Sequence, residues 1–165
     1  MHDPFIHRAI QVRRMSPTKF GVFANEAIVR GTVIESCAIL PISRQVSNAI
    51  MSASKTTLSD KMIQNPDGII KERNLIASIK EMELEKRLDA GLLTPEDLKK
   101  ILIDSGNITQ ILDIETNGFL LGYGSLYNQS SYPNIVIQYN SESKLYDIKA
   151  VKDITRGTEL TYLTK

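Results

Sequence analysis

An α+β fold, mostly β, is the class that this sequence predicts, and three observations point to it. Residues 8–40 read as short alternating strands, residues 44–106 change to a helical period, and residues 108–165 return to strands. That order places a helical insertion inside a sheet protein. At 165 residues the chain has the size of one ordinary domain, long enough to bury a core. The expected organisation is a single domain over 1–165, with an N-terminal part at 8–41, a helical insertion at 42–112 and a C-terminal part at 113–165.

In the first region Val12 is flanked by polar residues, and Gly21 to Ala24 follows a Ser16-Pro17-Thr18 turn. Val33 to Leu40 is an apolar run expected to be mostly buried and to end at Pro41. In the second region Leu75, Ile76, Ile79 and Met82 recur at helix spacing, with Lys71, Glu72, Lys80 and Glu83 between them. Gly91 supplies a stop signal. Thr94-Pro95-Glu96-Asp97 then reads as an N-cap, a proline at the first helical position and acids in the first turn. Leu98, Ile101 and Leu102 form the stripe of that second helix, which Gly106 ends. In the third region Ile135, Ile137 and Tyr139 alternate, as do Tyr146, Ile148 and Ala150. Asn140 to Lys144 lies between these runs with the composition of a β-hairpin loop.

Composition excludes several classes. A formal net charge of +1 gives no global field for nucleic acid or an anionic membrane, so neither is an expected partner. His2, His7, Arg8, Arg13 and Arg14 read as a solvated basic edge. The lone Cys37 allows no internal disulfide and suits a reducing compartment; within its apolar run it reads as a buried structural thiol. One Cys and two N-terminal His make no metal constellation. No apolar run reaches membrane-spanning length and the start is polar, so a soluble, intracellular (cytoplasmic) protein is expected.

The stretch with most chemical content is Gly122-Tyr123-Gly124-Ser125-Leu126-Tyr127-Asn128-Gln129-Ser130-Ser131-Tyr132-Pro133-Asn134. An Asn, small hydroxyl residues and a Pro-Asn turn between strands can hold a small polar ligand, and the same composition also makes a plain surface turn. Asn128 to Asn134 resembles the Asn-His-Ser-x-x-Pro-Asn signature of SET-domain proteins, the lysine methyltransferases that use S-adenosyl-L-methionine. Two further blocks are similar to that family in the right order. Gly21-Val22-Phe23-Ala24, Ile28 and Gly31-Thr32-Val33-Ile34-Glu35 resemble its N-terminal part, and Ala150 to Thr161 resembles its closing block. The middle block is worded most like the small stand-alone SET proteins of bacteria and their phages.

The resemblance implies small curved sheets around a C-terminal pseudoknot, with the insertion forming one wall of a substrate groove. The insertion's stripes suit core packing or a homodimer face equally. It further implies S-adenosyl-L-methionine as cofactor, a protein substrate bearing a lysine, and no metal. Lys19, Phe20 and Gly21 match the family's cofactor-binding Gly-x-Gly, with Lys in place of the first Gly. Asn128 matches the Asn that contacts the cofactor's amino-acid part, and Gln129 replaces a His whose backbone holds the adenine.

SET enzymes close with Glu-Leu-Thr-x-x-Tyr, the Tyr hydroxyl orienting amine and methyl. Here Thr164 stands at that position. Tyr162 lies two residues earlier, on the same side of an extended strand and about 7 Å away. Tyr162 and Tyr123 are the catalytic candidates, with Tyr127 and Tyr139 as further channel residues. Two functions follow: a protein-lysine methyltransferase, or a catalytically weak SET-fold protein that binds the cofactor or a protein partner. A pure interaction module built on the insertion is a third, but it leaves all three blocks unexplained.

Overall fold

The computed structural model describes residues 3–52, 59–89 and 115–163. In chain order it contains β1 (Phe5–Ile6), β2 (Ile10–Ser16), β3 (Lys19–Ala24), β4 (Val33–Cys37), β5 (Ile39–Ile42) and α1 (Arg44–Ser52). Then come β6 (Met62–Gln64), α2 (Pro66–Asp89), β7 (Asn117–Leu120), β8 (Asn128–Ser130), β9 (Ile135–Asn140), β10 (Leu145–Ala150) and β11 (Thr161–Leu163). The class is α+β and mostly β, as the alternation of the sequence predicts. The chain forms two compact units, Met1–Leu40 with Phe119–Lys165, and Pro41–Gly118.

The first unit is built on a four-stranded antiparallel sheet in the order β1-β4-β10-β9. β9 and β10 form the expected hairpin: Asn140 Oδ1 accepts the N–H groups of Glu142 and Ser143, and Lys144 takes a positive φ of 62° to complete the turn. Inward residues of these strands, with Val22 of β3 and Leu160 just before β11, make the core. Val22, Ile34, Ile135, Ile148 and Leu160 are buried to 2% exposure or less. Each such side chain contributes about 1.5–3 kcal/mol on burial. β2 and β3 form a second hairpin in which the Arg13 guanidinium lies over the Phe23 ring and, on the other face, Arg14 over Phe20.

The end of the chain runs between two partners. The Leu160 N–H donates to the Val22 carbonyl and the Ala24 N–H to the Thr158 carbonyl, which ties the segment to β3. One residue on, β11 pairs in parallel with β8, Thr161 opposite Asn128 and Tyr162 opposite Gln129. A parallel pair cannot be closed by a tight turn. The intervening chain, which contains β9 and β10, therefore has to return before its end can lie beside β8.

A three-stranded sheet runs in the order β5-β7-β6. Pro41 does not end its run as the sequence reading has it, but lies inside β5. β5 is an edge strand, where a residue without an N–H leaves no ladder bond unmade. α2 opens on Asn65-Pro66-Asp67: proline suits the first helical position, and Asp67 faces the positive end of the helix dipole. Gly68 is required there, since a Cβ would fall 2.0 Å from the Glu115 carbonyl oxygen. The helical period is observed; of its stripe Leu75 and Met82 are exposed and Ile76 is half-buried, and Ile70 is exposed as well. Apolar residues in α2 are spread around the axis rather than gathered into one stripe. The second helix, read between Thr94 and Gly106 after the stop at Gly91, lies outside the described residues.

Candidate active site

The three sequence blocks meet at Gly21. A Cβ on this residue would lie 2.8 Å from Glu159 Oε1, 2.8 Å from Met15 Sδ and 3.2 Å from Asn128 Nδ2, so a side chain here would have to displace the ends of these side chains. Asn128 opens β8 opposite Thr161, and its amide nitrogen donates to the Phe20 carbonyl at 3.0 Å and to Glu159 Oε1 at 2.7 Å. The Met15 sulfur lies 3.5 Å from the same nitrogen. Phe20, Gly21 and Asn128, which the sequence reading groups as cofactor residues, are thus brought together. Lys19 stands at the start of β3, exposed and paired with Ser16 across the hairpin.

Gln129 and Tyr162 form a neighbouring pair. They are register partners in β8 and β11, and Gln129 Nε2 donates to the Tyr162 hydroxyl at 3.2 Å. Tyr123 is held elsewhere by its main chain: its N–H donates to Glu35 Oε1 at 2.8 Å, just before a 3-10 turn at Gly124–Leu126. Thr164, the position of the family's closing Tyr, lies outside the described residues.

Two buried polar residues organise this region, and the sequence reading assigned a role to neither. Asn134 donates from Nδ2 to the Glu159 carbonyl at 2.8 Å and accepts the Thr161 N–H on Oδ1 at 2.8 Å. Its own N–H donates to the Thr161 carbonyl at 3.0 Å, and its carbonyl accepts from Val151 at 2.9 Å. One side chain thereby holds the Glu159–Thr161 segment in place.

Glu35 is the second. It is fully buried on β4, where Oε2 accepts the Tyr127 hydroxyl at 2.8 Å and Oε1 accepts the Tyr123 N–H. Burial pushes its carboxyl above the usual glutamate range, against the opposing pull of the bonds from Tyr127, Tyr123 and Gly124. Burial likewise raises the Tyr127 hydroxyl, with the Glu35 charge adding to it. The Cys37 thiol is pushed up to about 12, first by burial and then by Glu35 and Asp147; it is an inert buried thiol. Gly122, at φ 67°, lets the turn approach Glu35, since a Cβ there would lie 2.5 Å from Oε1. An apolar cleft of about 350 Å³ lies beside this turn, bounded by Pro4, Phe5, Ile6, Cys37, Ala38 and Leu121.

Glu159 was also missed, although it stands inside the closing block. Its signal was a charged residue next to the apolar Leu160; that of Glu35 was an acid in the middle of an apolar run. Chemically, the cluster at Gly21 offers a main-chain carbonyl, a carboxylate and a primary amide within one small volume. Such a set binds a cationic amino group better than an anion.

The SET-domain family profile matches residues 19–163, and the chain belongs to that family. This is a family of lysine methyltransferases, whose members generally use S-adenosylmethionine and act on protein lysines. Among solved structures the chain is similar to a Plasmodium falciparum protein described as a candidate histone methyltransferase. The identity is 18% and the TM-score 0.50, with 94% of this chain and 92% of that one covered. It is also similar to CpSET8 from Cryptosporidium at 14% identity and a TM-score of 0.49, covering 95% of this chain and 57% of that one. At these identities the first likeness bears on the fold alone. No curated protein matches the chain. Among the described residues no helix is long and apolar enough to cross a membrane.

Proposed function

We propose that this protein is an S-adenosyl-L-methionine-dependent protein-lysine N-methyltransferase. The observation that carries the reading is the convergence of the three SET blocks on Gly21, where Phe20, Asn128 and Glu159 meet. The residues present suit the cofactor's amino-acid end: acceptors for an ammonium sit beside a glycine that allows close approach of the main chain. Phe20, Gly21 and Asn128 would hold that end, Gln129 would contribute its main chain toward the adenine, and Lys19 would stand near the carboxylate. When bound, the cofactor supplies an electrophilic methyl group on a sulfonium.

The chain's own part is alignment and exclusion of water. A lysine amine must arrive neutral to act as nucleophile, and an apolar channel lowers its pKa by disfavouring the charged form. Holding the reactants in line accounts for several kcal/mol of a displacement barrier. Tyr162 accepts a hydrogen bond from Gln129 and stands in the closing motif, which makes it the leading candidate to orient the amine. Tyr123 stands at a turn anchored by Glu35.

A second reading, cofactor binding with little or no turnover, is favoured by one observation: the closing motif carries Thr164 where the family has Tyr. The test is incubation with S-adenosylmethionine and candidate protein substrates, read by mass spectrometry for lysine methylation. Methylated lysine that disappears in Tyr162→Phe, with cofactor affinity kept, supports the first reading. Cofactor binding without any methylated product supports the second.

A further inference from the structure

We infer that Glu35 is a positioning residue for methyl transfer: from inside the fold it pins both ends of the turn at residues 123–127 and so fixes where Tyr123 stands. This rests on the transferase reading proposed above and adds to it a side chain closed off from solvent.

Glu35 lies within an apolar run on β4 and is 0% exposed, so it acts through the groups it touches. Its carboxylate meets donors from one turn. Oε1 accepts the Tyr123 N–H and Oε2 the Tyr127 hydroxyl, each at 2.8 Å, and the Gly124 N–H adds a further bond. A carboxylate accepts on both oxygens, which lets one side chain hold two points four residues apart. The turn is shaped to reach it. Gly122 takes a φ of 67°, and a Cβ there would fall 2.5 Å from Oε1. A Cβ on Gly124 would fall 2.4 Å from the Leu120 Cβ and 3.0 Å from the Cys37 sulfur.

The two ends of the turn are braced unequally. Tyr127 runs into β8, which also pairs with β11 and is tied to Phe20 and Glu159 through Asn128. Tyr123 is tied within the turn by the Leu126 N–H on its carbonyl, and to the sheet by its own N–H on Glu35. Loss of the carboxylate therefore frees Tyr123 more than it frees the residues proposed to hold the cofactor. A reacting group misplaced by about 1 Å costs roughly a hundred-fold in rate. The pin depends on shape more than on charge. Burial draws the carboxyl toward its neutral form, and a neutral amide can take its place, its oxygen accepting from Tyr123 and its nitrogen donating to the Tyr127 oxygen.

Two measurements on folded protein separate rate from binding. One is single-turnover methyl transfer to the peptide that wild type methylates fastest on a lysine-peptide array; the other is calorimetry with S-adenosylmethionine. Glu35→Leu should transfer methyl roughly ten- to a hundred-fold more slowly, with cofactor affinity within about three-fold of wild type. Glu35→Gln should recover most of the rate. Leu145→Ala truncates a buried residue at the hairpin end of β10, controls for lost stability, and should keep the rate. An unchanged rate in Glu35→Leu, no recovery in Glu35→Gln, or an equal fall in Leu145→Ala overturns the inference. So does a loss of cofactor affinity as large as the loss of rate. If Glu35→Leu does not fold, Tyr127→Phe decides: removing one of the two pins should slow transfer about three-fold or more with affinity kept, and an unchanged rate overturns the role given to Glu35. A wild type that methylates no peptide on the array instead overturns the transferase reading beneath it.

Discussion

The unit that carries the sequence motifs and the unit formed by residues 41–118 differ in what they leave exposed. In the first, polar side chains bridge segments that are far apart in sequence: buried Glu35 to Tyr127, half-buried Asn128 to Phe20 and Glu159, buried Asn134 to Thr161. The second also has such bridges, buried Asn65 to the Glu115 carbonyl and Asn117 to buried Ser47, but along its long helix Ile70, Leu75 and Met82 are exposed, beside an ion pair between Arg44 and Glu72. The difference teaches where this sequence is constrained. Long-range buried polar bonds tolerate few alternatives, because removing one partner strands the other in a dry interior. An exposed helix face asks mainly for helical propensity and tolerates many sequences.

Breaking the Glu35 clamp should have the largest effect. Glu35→Ala leaves the buried Tyr127 hydroxyl and the Tyr123 N–H without their acceptor, a loss of about 3 kcal/mol in folding stability by denaturant titration. Asn134→Ala comes next. It removes two bonds that hold the C-terminal segment, and about 2 kcal/mol is expected by the same measurement.

A pH titration sharpens the contrast further. Glu35 has a raised pKa in the folded state, so the native protein holds that proton more tightly than the unfolded chain. Its contribution is then fully present below about pH 4, the ordinary range of the unfolded glutamate, and is lost as pH rises through the folded value. Comparing stability against pH in wild type and Glu35→Gln isolates this component. The fall with rising pH should be shallower in the variant, and identical slopes would refute the assignment. The smallest effect is predicted in the other unit. Arg44→Ala breaks an ion pair between partly exposed side chains and should change stability by about 1 kcal/mol or less.

The same contrast explains what could be read from the sequence. Period-two alternation marked β9 and β10, and the polar loop between them gave the hairpin, because both are local signals. The three ordered blocks marked the place where Gly21 and Asn128 meet. The roles of Glu35, Asn134 and Glu159 were not legible, since a polar residue looks alike whether it faces water or bridges two distant segments. Pro41 misled because a proline stop and a proline on an edge strand share one local signature. Helix α2 was legible as a helix from its period, but its exposed face was not, since burial depends on what packs against it.

The central claim is that the site at Gly21 and Asn128 holds S-adenosylmethionine, and one titration tests it most directly. Calorimetry of wild type and Asn128→Ala with this ligand should show saturable binding to the wild type. In the folded variant the affinity should be roughly ten- to a hundred-fold weaker. No binding to the wild type, or equal affinity in a folded Asn128→Ala protein, would contradict the account.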